Sequence, residues 1–405
     1  MSVQHNEVFN RFQKELKMKI QFTLFFTIAF LLLSCVNKST SVVMSNQQDG
    51  SKQVIITDKG ERTVLSVGSD MNKRGIDFSK TPTKIAFGSC ADQDKPQPLW
   101  TLIEKQKPDL FLFMGDNVYA KLPEQKPISE QYKKLNQIPE FISFIQKTPI
   151  MAIWDNNDYG SQDLGADYPD KENSRKDFLI QWPYVKDSLE IGQQGIYHAK
   201  IIGGESVGKK KKKRLVGPQV QVIMLDTRWG RSPIRYNPDT TDYMKPYLPW
   251  DENDTEHQFL STAQWEWFEE QLNKKADFRI VVSSVQLIAN EHSFQKWGNF
   301  PKERQRFFDL LKKTKVKNLI VLSGDRHIGT MAKMEIKGWG TLYDITASSI
   351  NKSKNFTETD PSYLFPVISS ENYGTISFDW SKKTALIELR DKDDNVKADL
   401  KLPIH

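Results

Sequence analysis

Residues of types that can bind a metal ion follow five strand-like segments of this sequence. They are Cys90, Asp116, Asp155 with Asn156 and Asp158, Asp226, and Asp325 with His327. In α/β proteins the carboxyl ends of the strands form the edge of the sheet at which ligands bind. A thiolate, carboxylates, an amide and an imidazole gathered there would make a metal site. A single aspartate at a strand end is more often a helix cap or a turn former, so the prediction depends on their recurrence after successive strands.

Two glycines stand directly before two of these acids, Gly115 before Asp116 and Gly324 before Asp325. Glycine has no side chain, so it allows the backbone or a metal ion to come close. We therefore expect a close approach at both strand ends.

The elements that must position these residues are predicted from the hydrophobic pattern. Apolar runs predict strands over residues 83–87, 109–114, 150–154, 220–225, 278–282 and 319–322. Amphipathic spacing predicts helices over residues 98–107, 140–146, 262–273 and 303–313. The alternation over 374–380 and 384–389, with a turn at Ser381-Lys382-Lys383, is typical of an antiparallel hairpin. Strands that alternate with helices indicate an α/β fold.

The composition is that of a globular protein. Of the 405 residues, 38% are hydrophobic and 27% charged, which excludes a disordered, collagen-like or multi-span membrane chain. The presence of only two cysteines excludes a disulfide scaffold and a zinc site of four thiolates. Cys90 is therefore predicted to be either a small buried apolar residue or a ligand.

The net charge of +6 has a local origin. Residues 1–34 hold four basic and two acidic residues, and the run Lys209 to Arg214 holds six basic ones. The rest of the chain holds 47 of the 57 basic residues and 49 of the 51 acidic residues, so without these two segments the charges nearly balance. Nucleic-acid-binding proteins spread basic residues over a face, so we expect no nucleic-acid partner. The run falls at a predicted hairpin tip, which suits a solvated turn or a contact with anionic lipid headgroups.

The N-terminus has the layout of a secretory signal. Two lysines precede the uncharged stretch 22–33, which is too short to span about 30 Å of hydrocarbon as a helix. Leu32-Leu33-Ser34-Cys35 closes this stretch and resembles the lipobox of bacterial lipoproteins, in which the cysteine is acylated. The alternative is a general signal sequence with a chance cysteine.

From these features we predict three parts of the chain. Residues 1–34 would be a lipoprotein signal peptide, with Met18 as a second candidate for the true start, and Cys35 would carry the lipid. Residues 35–80 would be a tether and a short N-terminal segment, flexible over the polar stretch 36–50. The mature protein would lie in a bacterial cell envelope, lipid-anchored to the membrane and facing the periplasm or the exterior. We expect it to be a monomer.

Several segments resemble the sequence blocks of PhoD-like alkaline phosphatases and phosphodiesterases, which belong to the calcineurin-like metallophosphatase superfamily. They occur in the order expected for that family. They read Phe87-Gly88-Ser89-Cys90, Met114-Gly115-Asp116-Asn117-Val118-Tyr119, Trp154-Asp155-Asn156-Asn157-Asp158-Tyr159-Gly160, Leu225-Asp226-Thr227-Arg228, the stretch 284–301, Leu322-Ser323-Gly324-Asp325-Arg326-His327 and the stretch 343–349. The resemblance implies a sandwich of two mixed β-sheets flanked by α-helices, formed by residues 81–405 with the C-terminal hairpin included.

The resemblance also implies a site for two or more metal ions, iron with calcium or another divalent cation. The implied ligands are Cys90, Asp116, Tyr119, Asp155, Asn156, Asp325 and His327. Of these, Cys90, Asp116 and Tyr119 would bind a ferric-type ion. Arg228 and Arg326 are candidates to clamp a phosphate group, although an ion pair with Asp226 is the alternative for Arg228.

One residue departs from the family pattern. Many relatives carry histidine at the position of Asn157, where it is thought to protonate the leaving group or to hold the phosphate. Asparagine can donate a hydrogen bond but no proton near neutral pH. Asp158, His292 or a metal-activated water would have to take over that role.

The implied activity is hydrolysis of phosphate mono- or diesters by a metal-activated water. Two alternatives stay open on the sequence. One is a phosphodiesterase specific for phospholipid or wall-polymer headgroups. The other is a lipoprotein that binds a phosphorylated ligand without cleaving it, for which Asn157 is the support.

Overall fold

The structure is a computed structural model that describes residues 40–46, 52–58, 61–67, 75–120, 127–160, 163–207, 214–239, 241, 245–354 and 357–405. The chain divides into two units, Met1–Asn72 and Lys73–His405. The predicted signal peptide, Cys35 and Lys209–Lys213 of the basic run lie outside the described residues. No helix of the described ranges is long and apolar enough to cross a membrane.

The described part of the first unit is an antiparallel sheet in the order β1-β2-β3. Its strands are β1 (Thr40–Asn46), β2 (Lys52–Asp58) and β3 (Glu61–Val67). β1 falls within the stretch 36–50 that the sequence predicts to be a flexible tether. Its β-branched residues Thr40, Val42 and Val43 favour extended backbone in spite of the polar residues around them.

The second unit contains two six-stranded mixed sheets in its described residues. The first has the order β17-β16-β15-β4-β5-β6 and the second the order β13-β14-β12-β11-β8-β7. The strands of the first are β4 (Lys84–Gly88), β5 (Leu110–Met114), β6 (Ile150–Ile153), β15 (Asn372–Asp379), β16 (Thr384–Asp391) and β17 (Val396–Pro403). Those of the second are β7 (His198–Val207), β8 (Arg214–Met224), β11 (Phe278–Val282), β12 (Leu319–Ser323), β13 (Gly329–Ile336) and β14 (Gly340–Ala347). β9 (Arg235–Tyr236) and β10 (Tyr247–Leu248) pair separately.

Each sheet has a parallel centre, and the sheets pack on each other. β4, β5 and β6 run parallel in the first sheet, and β8, β11, β12 and β14 in the second. β14 contacts β4 and β15 of the other sheet. The predicted α/β sandwich of two mixed sheets is therefore confirmed.

Helices flank the sheets. They are α1 (Leu99–Lys105), α2 (Ile128–Leu135), α3 (Pro139–Lys147), α4 (Asn156–Tyr159), α5 (Lys171–Gln181), α6 (Pro183–Lys186), α7 (Thr262–Leu272) and α8 (Pro301–Thr314). On α7, Trp265, Phe268 and Leu272 are buried, as expected for the inward face of an amphipathic helix.

Aromatic packing fixes the strand that leads into the site. Trp100 of α1 lies with its ring centroid 5.3 Å from that of Phe111 and 5.6 Å from that of Phe113, both on β5. Phe144 of α3 stacks on the same indole at 5.2 Å. Because close-packed rings leave a strand little freedom, the residues that follow β5 are held rigidly.

Candidate metal centre

Two parallel strands of the first sheet bring Cys90 and Asp116 to the same edge. Both residues follow the ends of their strands, β4 and β5, in left-handed backbone with φ of 63° and 50°. This conformation is uncommon for residues other than glycine and concentrates at functional sites. The Cys90 Sγ lies 3.7 Å from Asp116 Oδ2. The sulfur therefore lies beside an acidic group, not in an apolar interior.

The second sheet contributes Asp325 and His327, which follow β12 with φ of 66° and 60°. The His327 backbone N–H donates to Ser348 Oγ at 3.0 Å, which ties the turn to the end of β14. One ligand atom each of Cys90, Asp116 and His327 lies within 4.8 Å of the other two, and all three residues are buried. Residues 237 positions apart in the sequence therefore meet in one site, because the two sheets pack with these edges together.

Tyr119 joins these residues from the loop after β5. Its Oη lies 3.2 Å from His327 Nε2. Gln93 holds the tyrosine backbone from both sides, accepting from Tyr119 N at 2.8 Å and donating to Tyr119 O at 3.0 Å. We refer to Cys90, Asp116, Tyr119 and His327 as the Cys90 cluster.

The donor groups of the Cys90 cluster suit a metal ion. Burial, followed by the charge of Asp116, raises the pKa values of Cys90 and Tyr119 well above their ordinary range. A cation would reverse both shifts, because it stabilises thiolate and phenolate. Burial lowers the pKa of His327, so its imidazole is neutral, as a metal ligand requires. His327 Nδ1 has no hydrogen-bond partner in the described part of the chain.

Four aspartates in and around the Cys90 cluster have pKa values raised to about 7. They are Asp116, Asp155, Asp158 and Asp325. Burial is the largest cause in each case, and repulsion between neighbouring carboxylates adds to it. Asp155 Oδ2 is buried with no hydrogen-bond partner among the described residues. Carboxylates this deeply buried need protons or a cation to offset their charge, which is a second indication of a metal site.

The Arg228 side chain pairs with Asp155, whereas the alternative predicted from the sequence was an ion pair with Asp226. Its Nε donates to Asp155 Oδ1 at 2.7 Å, and its Nη2 contacts the same oxygen. Only its backbone N–H reaches Asp226, at 3.0 Å. The guanidinium also donates to Gln295. Arg228 therefore orients Asp155, and its contact with phosphate stays a prediction.

Asp226 is the strand-end acid that the structure uses as a turn former. Its carboxylate accepts hydrogen bonds from Trp154 Nε1 at 2.8 Å, Ile196 N at 2.9 Å and Trp229 N at 3.0 Å. These donors occupy both of its oxygens, so this aspartate has a structural role.

Asp158 connects the loop after β5 with the loop after β6. Its carboxylate accepts from the backbone N–H groups of Asp155 at 2.6 Å, Asn117 at 3.0 Å and Asp116 at 3.2 Å. The residue is buried. These contacts favour positioning of the neighbouring acids, while the predicted delivery of a proton by Asp158 has no contact that supports it.

Asn157 contacts a residue of the Cys90 cluster directly. Its Nδ2 donates to Asp116 Oδ2 at 2.8 Å, and its backbone N–H donates to Asp116 Oδ1 at 3.1 Å. Asn156 accepts from Asn157 Nδ2 at 3.0 Å and donates to Asp163 Oδ1 at 2.6 Å. The residue that departs from the family pattern thus holds the Asp116 carboxylate in place.

Arg326 stands directly before His327 of the Cys90 cluster, and its charge acts on His292. The Arg326 guanidinium is buried, pairs with Glu358 and lies with Cζ 4.3 Å from the centroid of the Phe294 ring. Burial and the charge of Arg326 lower the pKa of His292 well below its usual range. Neither ring nitrogen of His292 has a partner in the described ranges. The predicted roles of both residues stay predictions.

Asp163 is a residue of the site that the sequence analysis did not select. It accepts from Asn156, Gln295 and Tyr247, and its charge helps to raise the pKa of Asp325. It stands in a turn ten residues after β6 ends at Ile153. A search restricted to strand ends therefore misses it.

The two glycines before the strand-end acids allow a close approach, as expected. A Cβ at Gly115 would lie 2.6 Å from Asp155 Cβ, and this glycine has φ of +99°. A Cβ at Gly324 would lie 2.7 Å from Ser89 Oγ and 3.0 Å from Met114 O. The atoms that come close to the two glycines belong to neighbouring segments of the protein.

A cleft of about 1120 Å³ lies between the loops around Trp250 and His292 and the start of α8. No residue of the Cys90 cluster lines it. His292 and Lys296 belong to its wall, and the charge of Arg326 acts on both of them. The cleft is therefore distinct from the Cys90 cluster.

Residues 211–391 match the family model of PhoD-like phosphatases. This part of the chain is similar to PhoD-like phosphatases. The match agrees with the resemblance of the later sequence blocks, and it includes Asp325 and His327. The matched family is one of phosphatases. No curated protein matches the chain.

Solved structures share the fold of this chain at low sequence identity. The structure of PhoD has a TM-score of 0.60 and 14% identity, covering 88% of this chain and 74% of that one. GAP50, the anchor in the inner membrane complex of Plasmodium, has a TM-score of 0.51 and 14% identity, covering 80% and 90%. A dimetal phosphatase from Danio rerio has a TM-score of 0.51 and 10% identity, covering 80% and 100%. These similarities support the fold.

Proposed function

We propose that the protein is a phosphomonoesterase and phosphodiesterase of the alkaline phosphatase D type. The observation that carries this proposal is the convergence of the Cys90 cluster. Ligand atoms of its thiol, carboxyl and imidazole lie within 4.8 Å of one another, and its phenol lies 3.2 Å from the imidazole. No apolar core needs this set of groups, whereas a metal ion does.

Two groups of residues in the site would hold metal ions. The Cys90 cluster would hold an iron-type ion, and Asp155, Asn156 and Asp325 would hold calcium or another divalent cation beside it. Bound ions would supply Lewis-acid chemistry, polarising the phosphoryl group and activating water.

The chain's own side chains prepare this site. Arg228 and Ser284 hold Asp155 Oδ1, so that its other oxygen is left to face the site. Asn157 fixes both oxygens of Asp116. Arg326 lies near enough to stabilise anionic phosphoryl oxygens, and the neutral His292 could accept a hydrogen bond from the substrate.

We also propose that Cys35 carries a lipid that anchors the protein in a bacterial cell envelope, with its site facing the periplasm or the exterior. Support comes from Leu32-Leu33-Ser34-Cys35 and the short apolar stretch before it. Replacing Cys35 by serine should move the protein from the membrane fraction to the soluble fraction without changing the rate of hydrolysis.

The test of the proposed activity uses protein purified without added metal. We expect about one equivalent of iron by elemental analysis, and hydrolysis of p-nitrophenyl phosphate and bis-p-nitrophenyl phosphate between pH 6 and 10. Cys90→Ser should lose both the iron and the activity, and Cys35→Ser, as the matched cysteine control, should keep both.

The relative rates on the two esters distinguish a monoesterase from a diesterase that acts on lipid or wall-polymer headgroups. Bound metal without hydrolysis of either ester would refute the catalytic proposal in favour of a phosphate-binding lipoprotein. Full iron content in Cys90→Ser would refute the assignment of the thiolate as a ligand.

A further inference from the structure

Three lysines stand on two loops near the Cys90 cluster. Lys352 and Lys354 follow Asn351, whose backbone N–H donates to Cys90 O at 3.4 Å. Lys95 stands on the loop that follows Cys90. We call Lys95, Lys352 and Lys354 the cationic rim.

Two of the rim lysines lie against aromatic side chains. Lys352 Nζ is 4.3 Å from the centroid of the Tyr119 ring and 3.0 Å from Asp92 Oδ2. Lys354 Nζ is 5.4 Å from the centroid of Phe294. A cation above an aromatic face is held there by the negative potential of the ring. Lys352 is thus held against a residue of the Cys90 cluster, and Lys354 lies over the same ring as Arg326.

The two loops that carry the rim are fixed to each other. Asn351 accepts from Asp92 N at 2.7 Å and donates to Asp92 O at 2.8 Å. The Asn351 backbone N–H also donates to Cys90 O at 3.4 Å. The positions of Lys352 and Lys95 relative to the Cys90 cluster therefore do not depend on a long free loop.

The positive charges occupy two depths. Cys90, Asp116 and Arg326 are buried, at 1% exposure or less, whereas Lys95 and Lys354 are exposed and Lys352 is intermediate. A phosphoryl group that reacts at the buried cluster would meet Arg326. The lysines near the surface would meet a different part of the same molecule.

We propose that the cationic rim binds a second anionic group of the substrate, a carboxylate or a further phosphate, carried on the part of the molecule outside the reacting phosphoryl group. This inference rests on the proposed function and names the class of ester that the site selects. It makes Lys352 and Lys354 residues that determine specificity.

The test measures binding, so that it does not depend on turnover. Metal-loaded protein is titrated by calorimetry with 3-carboxyphenylphosphonate and with its neutral isostere, 3-carbamoylphenylphosphonate. We expect the wild type to bind the carboxylate compound about three- to tenfold more tightly, and each of Lys354→Ala and Lys352→Gln to reduce that ratio by about two- to fivefold. Raising the salt concentration should also reduce the ratio.

Matched variants control for general effects of charge. Lys382, 75% exposed in the turn between β15 and β16, serves as the distant control, and Lys382→Ala should leave the ratio unchanged. Lys354→Arg keeps the charge and should retain the preference. Because Lys352 pairs with the buried Asp92, its replacement can lower stability, and the exposed Lys354 provides the second variant.

Three results would overturn the inference. They are equal affinities for the two phosphonates in the wild type, a ratio that the rim variants leave unchanged, and an equal loss of affinity for both compounds, which would mean that the lysines contact only the phosphonate group. Hydrolysis of the two matching phosphate esters is measured in parallel. A preserved binding ratio without hydrolysis would refute the proposed function alone, whereas hydrolysis with a ratio of one would refute the rim alone.

Discussion

The substitution Asp325→Asn tests whether the buried carboxylates of the metal centre destabilise the metal-free protein, a destabilisation that a bound cation would remove. Burial and the charges of Asp155 and Asp163 raise the pKa of Asp325 from 3.8 to about 7. Asparagine has nearly the same shape, tolerates the left-handed backbone at this position and carries no charge. We expect the metal-free variant to be more stable than the metal-free wild type at pH 8.

The sign and size follow from proton linkage. A carboxyl whose pKa is raised on folding binds more protons in the folded than in the unfolded state, so stability falls as the pH rises between about 4 and 7. A shift of about 3 pKa units at about 1.4 kcal/mol each gives an upper limit of about 4 kcal/mol above pH 7. Asp325 keeps some exposure, and solvent screening lowers the expected gain to about 2 kcal/mol.

The assay is urea denaturation in the presence of a chelator at pH 4, 5, 6, 7 and 8, for the wild type, Asp325→Asn and Asp393→Asn. Asp393, 61% exposed in the turn between β16 and β17, serves as the control. The difference in free energy of unfolding between Asp325→Asn and the wild type should be near zero at pH 4 and should grow up to pH 7. Added metal should stabilise the wild type and have a smaller effect on the variant.

A stability difference that does not change with pH would refute the electrostatic reasoning, because an uncharged structural role of Asp325 has no such dependence. Equal stabilisation of both proteins by metal would refute the assignment of Asp325 as a ligand.

Two further substitutions test the geometry of the site. Gly115→Ala should lower the free energy of unfolding, measured by urea denaturation, by about 3 kcal/mol or more, and should also lower the amount of bound metal, because the new Cβ would lie 2.6 Å from Asp155 Cβ. The control is Gly338→Ala, at a glycine with φ of +85° and open space around it, which should lose only about 1–2 kcal/mol. Equal losses would argue against the close approach. Asn157→His should raise the rate of hydrolysis of an alkyl phosphate at least about tenfold and change the rate of hydrolysis of p-nitrophenyl phosphate little, because a proton donor matters most for a poor leaving group. Equal effects on both esters would show that Asn157 does not limit proton transfer.

Much of the fold could be predicted from the hydrophobic pattern. The buried strands β5, β6, β11 and β12 and the helices α1, α3, α7 and α8 lie within a few residues of their predicted bounds. β13, β14, β17 and α5 were not predicted. In β17, Lys397, Asp399 and Lys401 occupy one face of an edge strand. Charges there protect the edge from further pairing, and they also obscure the hydrophobic pattern.

The candidate site could be predicted in part for a related reason. A strand end can be read from local sequence, and Cys90, Asp116 and Asp325 each stand at one. Asp226 stands at one too, yet its carboxylate is used by Trp154 and backbone donors. Asp163 stands in a turn and was missed. Local sequence shows where an acid is placed along the chain but not which donors surround it.

The sequence alone is enough to locate the alternating strands and helices, the ligand-type residues at the strand ends and the family blocks that contain them. The contacts of the folded chain establish that Cys90, Asp116, Tyr119 and His327 meet, that Arg228 pairs with Asp155, and that Lys352 lies over the Tyr119 ring. The physical reason is that the period and polarity of a segment are local properties, whereas a metal centre depends on how two sheets pack and on which charges their edges bring together.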